Sequence, residues 1–137
     1  MPSRRARIAA VALPALLALA IGGGIFRERY KEAQDRRMRA ELITGGHVDR
    51  GRWLFSAYGC GGCHTLKHIP QARGLVGPPL DGIGARAILA GRLTNNPDNL
   101  MRWIGDPQSV APGTAMPRLG VTRRDQRDLA AFLYERP

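Results

Sequence analysis

Hydrophobic and polar positions divide this chain into stretches of very different character. Ile8 to Phe26 runs for nineteen residues without a charge, which as a helix spans roughly 28 Å, close to the hydrocarbon thickness of a bilayer. Arg4, Arg5 and Arg7 precede it, so residues 1–26 read as a signal-anchor or signal segment. An uncleaved anchor is the favoured form, because the apolar run continues past the small-residue site Ala18-Leu19-Ala20. From Arg27 to Thr44, bases alternate with Glu28, Glu32, Asp35 and Glu41, giving a charged linker that is either a solvated helical stalk or a disordered tether. Thr44-Gly45-Gly46 breaks the pattern, and a domain is expected over residues 45–137.

Inside that domain, Val48, Trp53, Leu54, Phe55 and Tyr58 recur at helical spacing. Thr65 to Gly84 is rich in Gly and Pro and reads as loop, and Ala85 to Leu93 as a short helix. Asn96 and Pro97 open a second helix bearing Leu100, Met101, Trp103 and Ile104, closed by Gly105-Asp106-Pro107. Val110 to Val121 is loop again. Thr122 caps a last helix whose apolar face is Leu129, Ala130, Phe132 and Leu133, with Asp125 at the capping-box position. No stretch reads as strand, so the expected class is all-α.

Charge changes this picture little. The net +10 divides evenly, with nine Lys/Arg against four Asp/Glu in residues 1–44 and twelve against seven in residues 45–137. Half of the excess therefore flanks the apolar segment. The remaining arginines are scattered and accompany no nucleic-acid motif, so no nucleic-acid partner is expected.

Cysteine chemistry changes it greatly. The only two cysteines lie in Cys60-Gly61-Gly62-Cys63-His64, the pattern of covalent haem attachment. Thiols three apart on a helical turn face one side, within reach of the two vinyl groups of one porphyrin. His64, next in line, brings its Nε2 under the ring as an iron ligand. A thioredoxin-like pair would need a preceding strand, a structural zinc site four ligands, and a disulfide this short would contribute little.

The order of these features resembles a class I c-type cytochrome over about residues 45 to 136: helix, Cys60-Gly61-Gly62-Cys63-His64, Gly77-Pro78, a helix ending Trp103-Ile104-Gly105-Asp106-Pro107, then Pro112-Gly113-Thr114-Ala115-Met116-Pro117 and a final helix. Leu93 to Leu100 leading into Trp103 is most similar to the cytochrome domain fused to subunit II of some haem–copper oxidases. The resemblance implies one covalent haem c with His64 and Met116 as axial ligands. It also implies that the carbonyl of Pro78 accepts from His64, that Arg86 and Thr114 meet the propionates, and that Leu80 and Trp103 line the pocket. Met101, the rival sulfur, belongs to a helical run and reads as packing; His47 and His68 read as surface residues. Gly51 and Phe55 match the family's helix crossing with Leu129 and Phe132. Little besides the iron bond is expected to hold the loop 110–121.

The function so implied is electron carriage in a respiratory chain rather than enzymatic catalysis. The alternatives are a haem sensor or enzyme with an open sixth site, or a haem relay subunit of a larger oxidase or reductase complex. The haem domain is expected on the periplasmic, outer face of a bacterial cytoplasmic membrane, although the bases after Phe26 taken alone would favour the opposite orientation. Expected partners are the membrane itself, a terminal oxidase and a quinol-oxidising complex.

Overall fold

The computed structural model describes residues 4–136, with side chains from residue 14 onward. Two compact units emerge, one ending at Asp35 and one beginning at Arg36. A long helix, α1, runs over Arg4–Thr44, so the charged linker is helical rather than a tether. In the first unit Leu16, Leu17, Leu19, Ile21, Ile25 and Phe26 are each more than half exposed. Among the described residues no helix is long and apolar enough to cross a membrane. The expected span begins at Ile8, and its side chains before Pro14 lie outside the described residues. The part from Pro14 to Phe26 falls short of the roughly 20 residues that a crossing needs.

The second unit starts ahead of the expected boundary at residue 45, because the last turns of α1 are part of its core. Ala40 and Thr44 are buried. Arg37 donates to Asp49 at 2.6 and 3.1 Å, and the Glu41 carboxylate accepts from the amide of Val48 at 3.0 Å. That last bond replaces an N-cap for the next helix, α2 (Val48–Ala57), whose own cap residue His47 makes no side-chain bond.

Helix α2 buries Val48, Gly51, Leu54 and Phe55, one face at three- and four-residue spacing. It ends where Gly59 turns left-handed, at φ 70°. The last helix, which will be α5 in chain order, spans Arg123–Glu135 and is capped by Thr122, whose hydroxyl accepts from the Asp125 amide at 3.2 Å. The two helices cross at Gly51. A Cβ there would run into the Asp128 carbonyl and the Phe132 side chain, so only glycine permits this approach. Phe55 and Phe132 seal the crossing with ring centroids 5.8 Å apart. The expected meeting of Gly51 and Phe55 with the last helix is thus observed.

Between these helices the chain departs from the sequence reading in two places. Where a helix is expected over 85–93, the chain forms a 3-10 turn and then a small antiparallel hairpin of β1 (Ile88–Leu89) and β2 (Leu93–Thr94). Alanine and leucine favour helix locally, yet Ala90 and Gly91 both take positive φ. Asn95 then pins the hairpin: its amide donates to the carbonyls of Ile83 and Arg86, both at 2.7 Å, and accepts from Tyr134 at 2.6 Å. Helix α3 (Pro97–Gly105) follows as expected, capped by Asn96, which accepts from Asn99 at 2.8 Å. It buries Leu100 and Ile104. A one-turn helix missing from the sequence reading, α4 (Pro107–Val110), comes next, with Asp106 as its cap.

Candidate haem site

Cys60, Gly61 and Gly62 form a 3-10 turn, and the amides of Cys63 and His64 both donate to the Cys60 carbonyl, at 3.2 and 3.0 Å. Both thiols are free and half-buried on this one turn. Burial pushes the Cys60 thiol up to about 11, so it is a neutral thiol near pH 7 and a poor thiolate ligand or nucleophile. Among the described residues no three His, Cys, Asp or Glu side chains cluster as a metal site. The zinc reading therefore lacks its donors.

The imidazole of His64 is held from one side. Its Nδ1 lies 2.8 Å from the Pro78 carbonyl oxygen. A carbonyl can only accept, so Nδ1 carries the proton and Nε2 keeps a free lone pair. Gly77 makes the approach possible, because a Cβ there would overlap the imidazole ring. Two further backbone bonds brace the segment: Gly77 N–H to the Cys63 carbonyl at 2.8 Å and Leu80 N–H to the Thr65 carbonyl at 2.9 Å. Two thiols on one turn, an available Nε2 and a side-chain-free edge at Gly77 fit a covalently attached haem.

The other expected residues lie in separate substructures. Leu80 is buried in the cluster that includes Ile83, Leu100 and Ile104. Arg86 donates through Nη2 to the carbonyls of Pro79 and Asp81, at 2.5 and 3.1 Å, and so braces the backbone around Leu80. Trp103 is half-buried on α3 beside Ile104, and Thr114 and Met116 are half-buried in the loop after α4. Met101 packs against the core; His47 and His68 are exposed. Among the described residues, no hydrogen bond joins the loop 113–116 to the turn 60–64.

Sequence reasoning missed Gln108. The loop expected to have little besides the iron bond to hold it is bonded by this side chain at Gly113, Thr114 and Met116. The signal was the Asp106-Pro107 pair, a cap followed by proline at the first helical position, which announces α4. Arg50 was missed as well. It pairs with Asp125 at 2.5 Å and with Asp128, tying α2 to α5.

Comparison with known proteins agrees with this geometry. The cytochrome c family model matches residues 48–136. Cytochrome c oxidase subunit 2 of Alkalihalophilus pseudofirmus is 37% identical over 87 residues, covering 63% of this chain and 25% of that protein. The subunit 2 of Bacillus sp. strain PS3 is 34% identical over 77 residues, covering 55% and 21%. This chain thus spans about a quarter or less of the length of these relatives. A cytochrome c of Gibberella zeae is 27% identical over 106 residues, 68% of this chain and 97% of that one. No solved structure matches the chain significantly. With Cys60, Cys63 and His64 gathered on one turn, these matches show that the chain belongs to the cytochrome c family, whose members bind haem c covalently, as a class I cytochrome related to oxidase subunit 2.

Proposed function

We propose that this chain carries single electrons through one covalently held haem c, tethered at the outer face of a bacterial cytoplasmic membrane. The observation that carries the reading is the bond between His64 Nδ1 and Pro78 at 2.8 Å, which leaves Nε2 free to donate to a metal. When bound, the haem supplies an iron that alternates between the ferrous and ferric states.

The chain's own residues divide the work. Cys60 and Cys63 supply the two thiols for thioether links. His64, oriented by Pro78 and Gly77, would hold the iron through Nε2, and Met116 would offer its thioether as a second ligand. A soft neutral sulfur together with an imidazole would favour the reduced state and so a higher potential. With Met116 bound as well as His64, no position would remain for a substrate, which favours carriage over catalysis. Arg86 and Thr114 are assigned to the propionates, and Leu80 and Trp103 to the pocket wall.

Anchoring rests on the apolar segment Ile8 to Phe26, whose described residues from Leu16 onward expose leucine, isoleucine and phenylalanine with no protein surface covering them. A bilayer would cover them. The partners assigned are a terminal oxidase as acceptor, supported by the similarity to oxidase subunit 2, and a quinol-oxidising complex as donor.

The test is a reduced-minus-oxidised spectrum with intact mass of the purified protein. One haem mass on the wild type, lost on Cys60→Ser with Cys63→Ser, is expected. A double variant that keeps the wild-type spectrum would remove the attachment claim, and a high-spin ferrous form reactive with carbon monoxide would favour a sensor or enzyme. Retention in membranes after a high-salt wash supports the anchor, since salt screens charge but not apolar burial; a soluble form beginning at Ile21 counts against it.

A further inference from the structure

One side chain bonds three backbone groups of the loop that carries Met116. Gln108 Nε2 donates to the carbonyls of Thr114 and Met116, both at 2.9 Å, and its Oε1 accepts from the Gly113 amide at 3.1 Å. Both amide protons and one oxygen lone pair are thereby used on three backbone groups of one loop. The orientation of the amide is unambiguous, because turning it over would set its oxygen against two carbonyls and its NH2 against an N–H. Gln108 is itself placed by α4. Asp106 caps that turn through the Ser109 amide at 3.1 Å, the Ser109 hydroxyl returns a bond to the Asp106 carbonyl at 2.9 Å, and Pro107 is buried beneath it. Beyond Met116 the same Asp106 receives Arg118. The α4 turn therefore holds the loop on both sides of Met116.

This matters because His64 and Met116 have separate hydrogen-bonded supports: Pro78 orients the imidazole, and among the described residues no hydrogen bond links that support to the loop 113–116. Fixing the Met116 carbonyl restricts where its Cα, and hence its sulfur, can go. We propose that Gln108 is the positioning residue for Met116, setting how strongly the thioether resists displacement from haem iron. The proposal rests on the reading of Met116 as the second axial ligand.

The experiment uses the ferric holoprotein and follows the near-infrared sulfur-to-iron band while imidazole is added. Gln108→Met keeps the length of the side chain and removes all three bonds; Gln108→Glu keeps the acceptor and removes both donors. Each lost hydrogen bond is worth about a fivefold change in an equilibrium. With water recovering part of the loss, imidazole should displace the thioether at an about tenfold lower concentration in Gln108→Met. Gln108→Glu should show a similar loss, because neither amide proton remains to hold the two carbonyls. Leu129→Ala, which weakens the α2–α5 crossing, should lower the melting temperature and leave the imidazole half-point unchanged.

A Gln108→Met half-point within twofold of wild type, with the band intact, overturns the proposal and leaves Met116 as ligand. If Gln108→Met does not fold, a Gln108→Glu half-point that equals wild type at the same pH overturns it equally. A wild-type protein without the band, or a Met116→Ala variant that retains it, overturns the ligand reading and the proposal together.

Discussion

At the scale of single residues, Asp125 shows how neighbours rather than sequence position assign a side chain's work. The capping-box spacing suggests that its carboxylate reaches back to the start of α5. Its oxygens instead accept from Tyr58 at 2.8 Å and Arg50 at 2.5 Å. The Tyr58 hydroxyl, then Thr122 and Arg50, hold its pKa below the ordinary 3.8 against the opposing effect of burial. The same bond to Asp125, with burial, raises the Tyr58 phenol above 10.0. A lowered folded-state value means that the unfolded chain binds the proton more readily. The stabilisation is thus fully present above the ordinary carboxylate range and is lost as pH falls through the folded value. Asp125→Asn should flatten the fall in stability below about pH 4, measured by urea unfolding across pH. Tyr58→Phe should move the Asp125 carboxyl up toward its ordinary value in an NMR titration; an unchanged value would show that the phenol contributes nothing.

At the scale of elements, the crossing of α2 and α5 is the join on which the domain depends. Gly51 lets the backbones meet, the phenylalanine pair fills the crossing, and Arg50 reaches Asp125 and Asp128 beside it. Gly51→Ala adds one methyl where the Asp128 carbonyl already stands, so the helices must separate. Overpacking of this kind costs about 1–3 kcal/mol, despite the higher helix propensity of alanine. The expected result is a lower denaturant midpoint with an unchanged m-value. Ser56→Ala on the exposed face of α2 should stay within about 0.5 kcal/mol of wild type. A neutral Gly51→Ala would mean that the helices cross elsewhere.

For the whole molecule, the division at Asp35 and Arg36 makes a sharper prediction than the sequence boundary at residue 45. Removing residues through Asp35 should leave the melting temperature of the haem domain unchanged. Removing residues through Thr44 also deletes buried Ala40, the Glu41 bond to the Val48 amide and the Arg37–Asp49 pair. The last is exposed and contributes little, but loss of a cap costs about 1 kcal/mol, and the buried packing adds to it. The longer deletion should therefore melt several degrees lower, as differential scanning calorimetry can measure. Equal melting of the two would place the edge of the domain at residue 45 after all.

What the sequence determined by itself was local chemistry and local periodicity. The Cys60-Gly61-Gly62-Cys63-His64 run, the caps at Asn96 and Thr122, and the apolar faces of α2, α3 and α5 each depend on residues within a turn or two of one another. The Gly77-Pro78 support lies 14 residues beyond His64 and was legible only because the resemblance supplies its role. Tertiary structure decided the rest. Asn95 meets Tyr134, Arg50 meets Asp125 and Asp128, and Glu41 caps Val48 across a break in the chain. Such pairs leave no periodic trace, because the partners are brought together only when the helices pack. The stretch Ala85 to Leu93 illustrates the physical reason: its helix propensity is worth tenths of a kcal/mol per residue, and it yields to the bonds that Asn95 makes to Ile83, Arg86 and Tyr134 of α5.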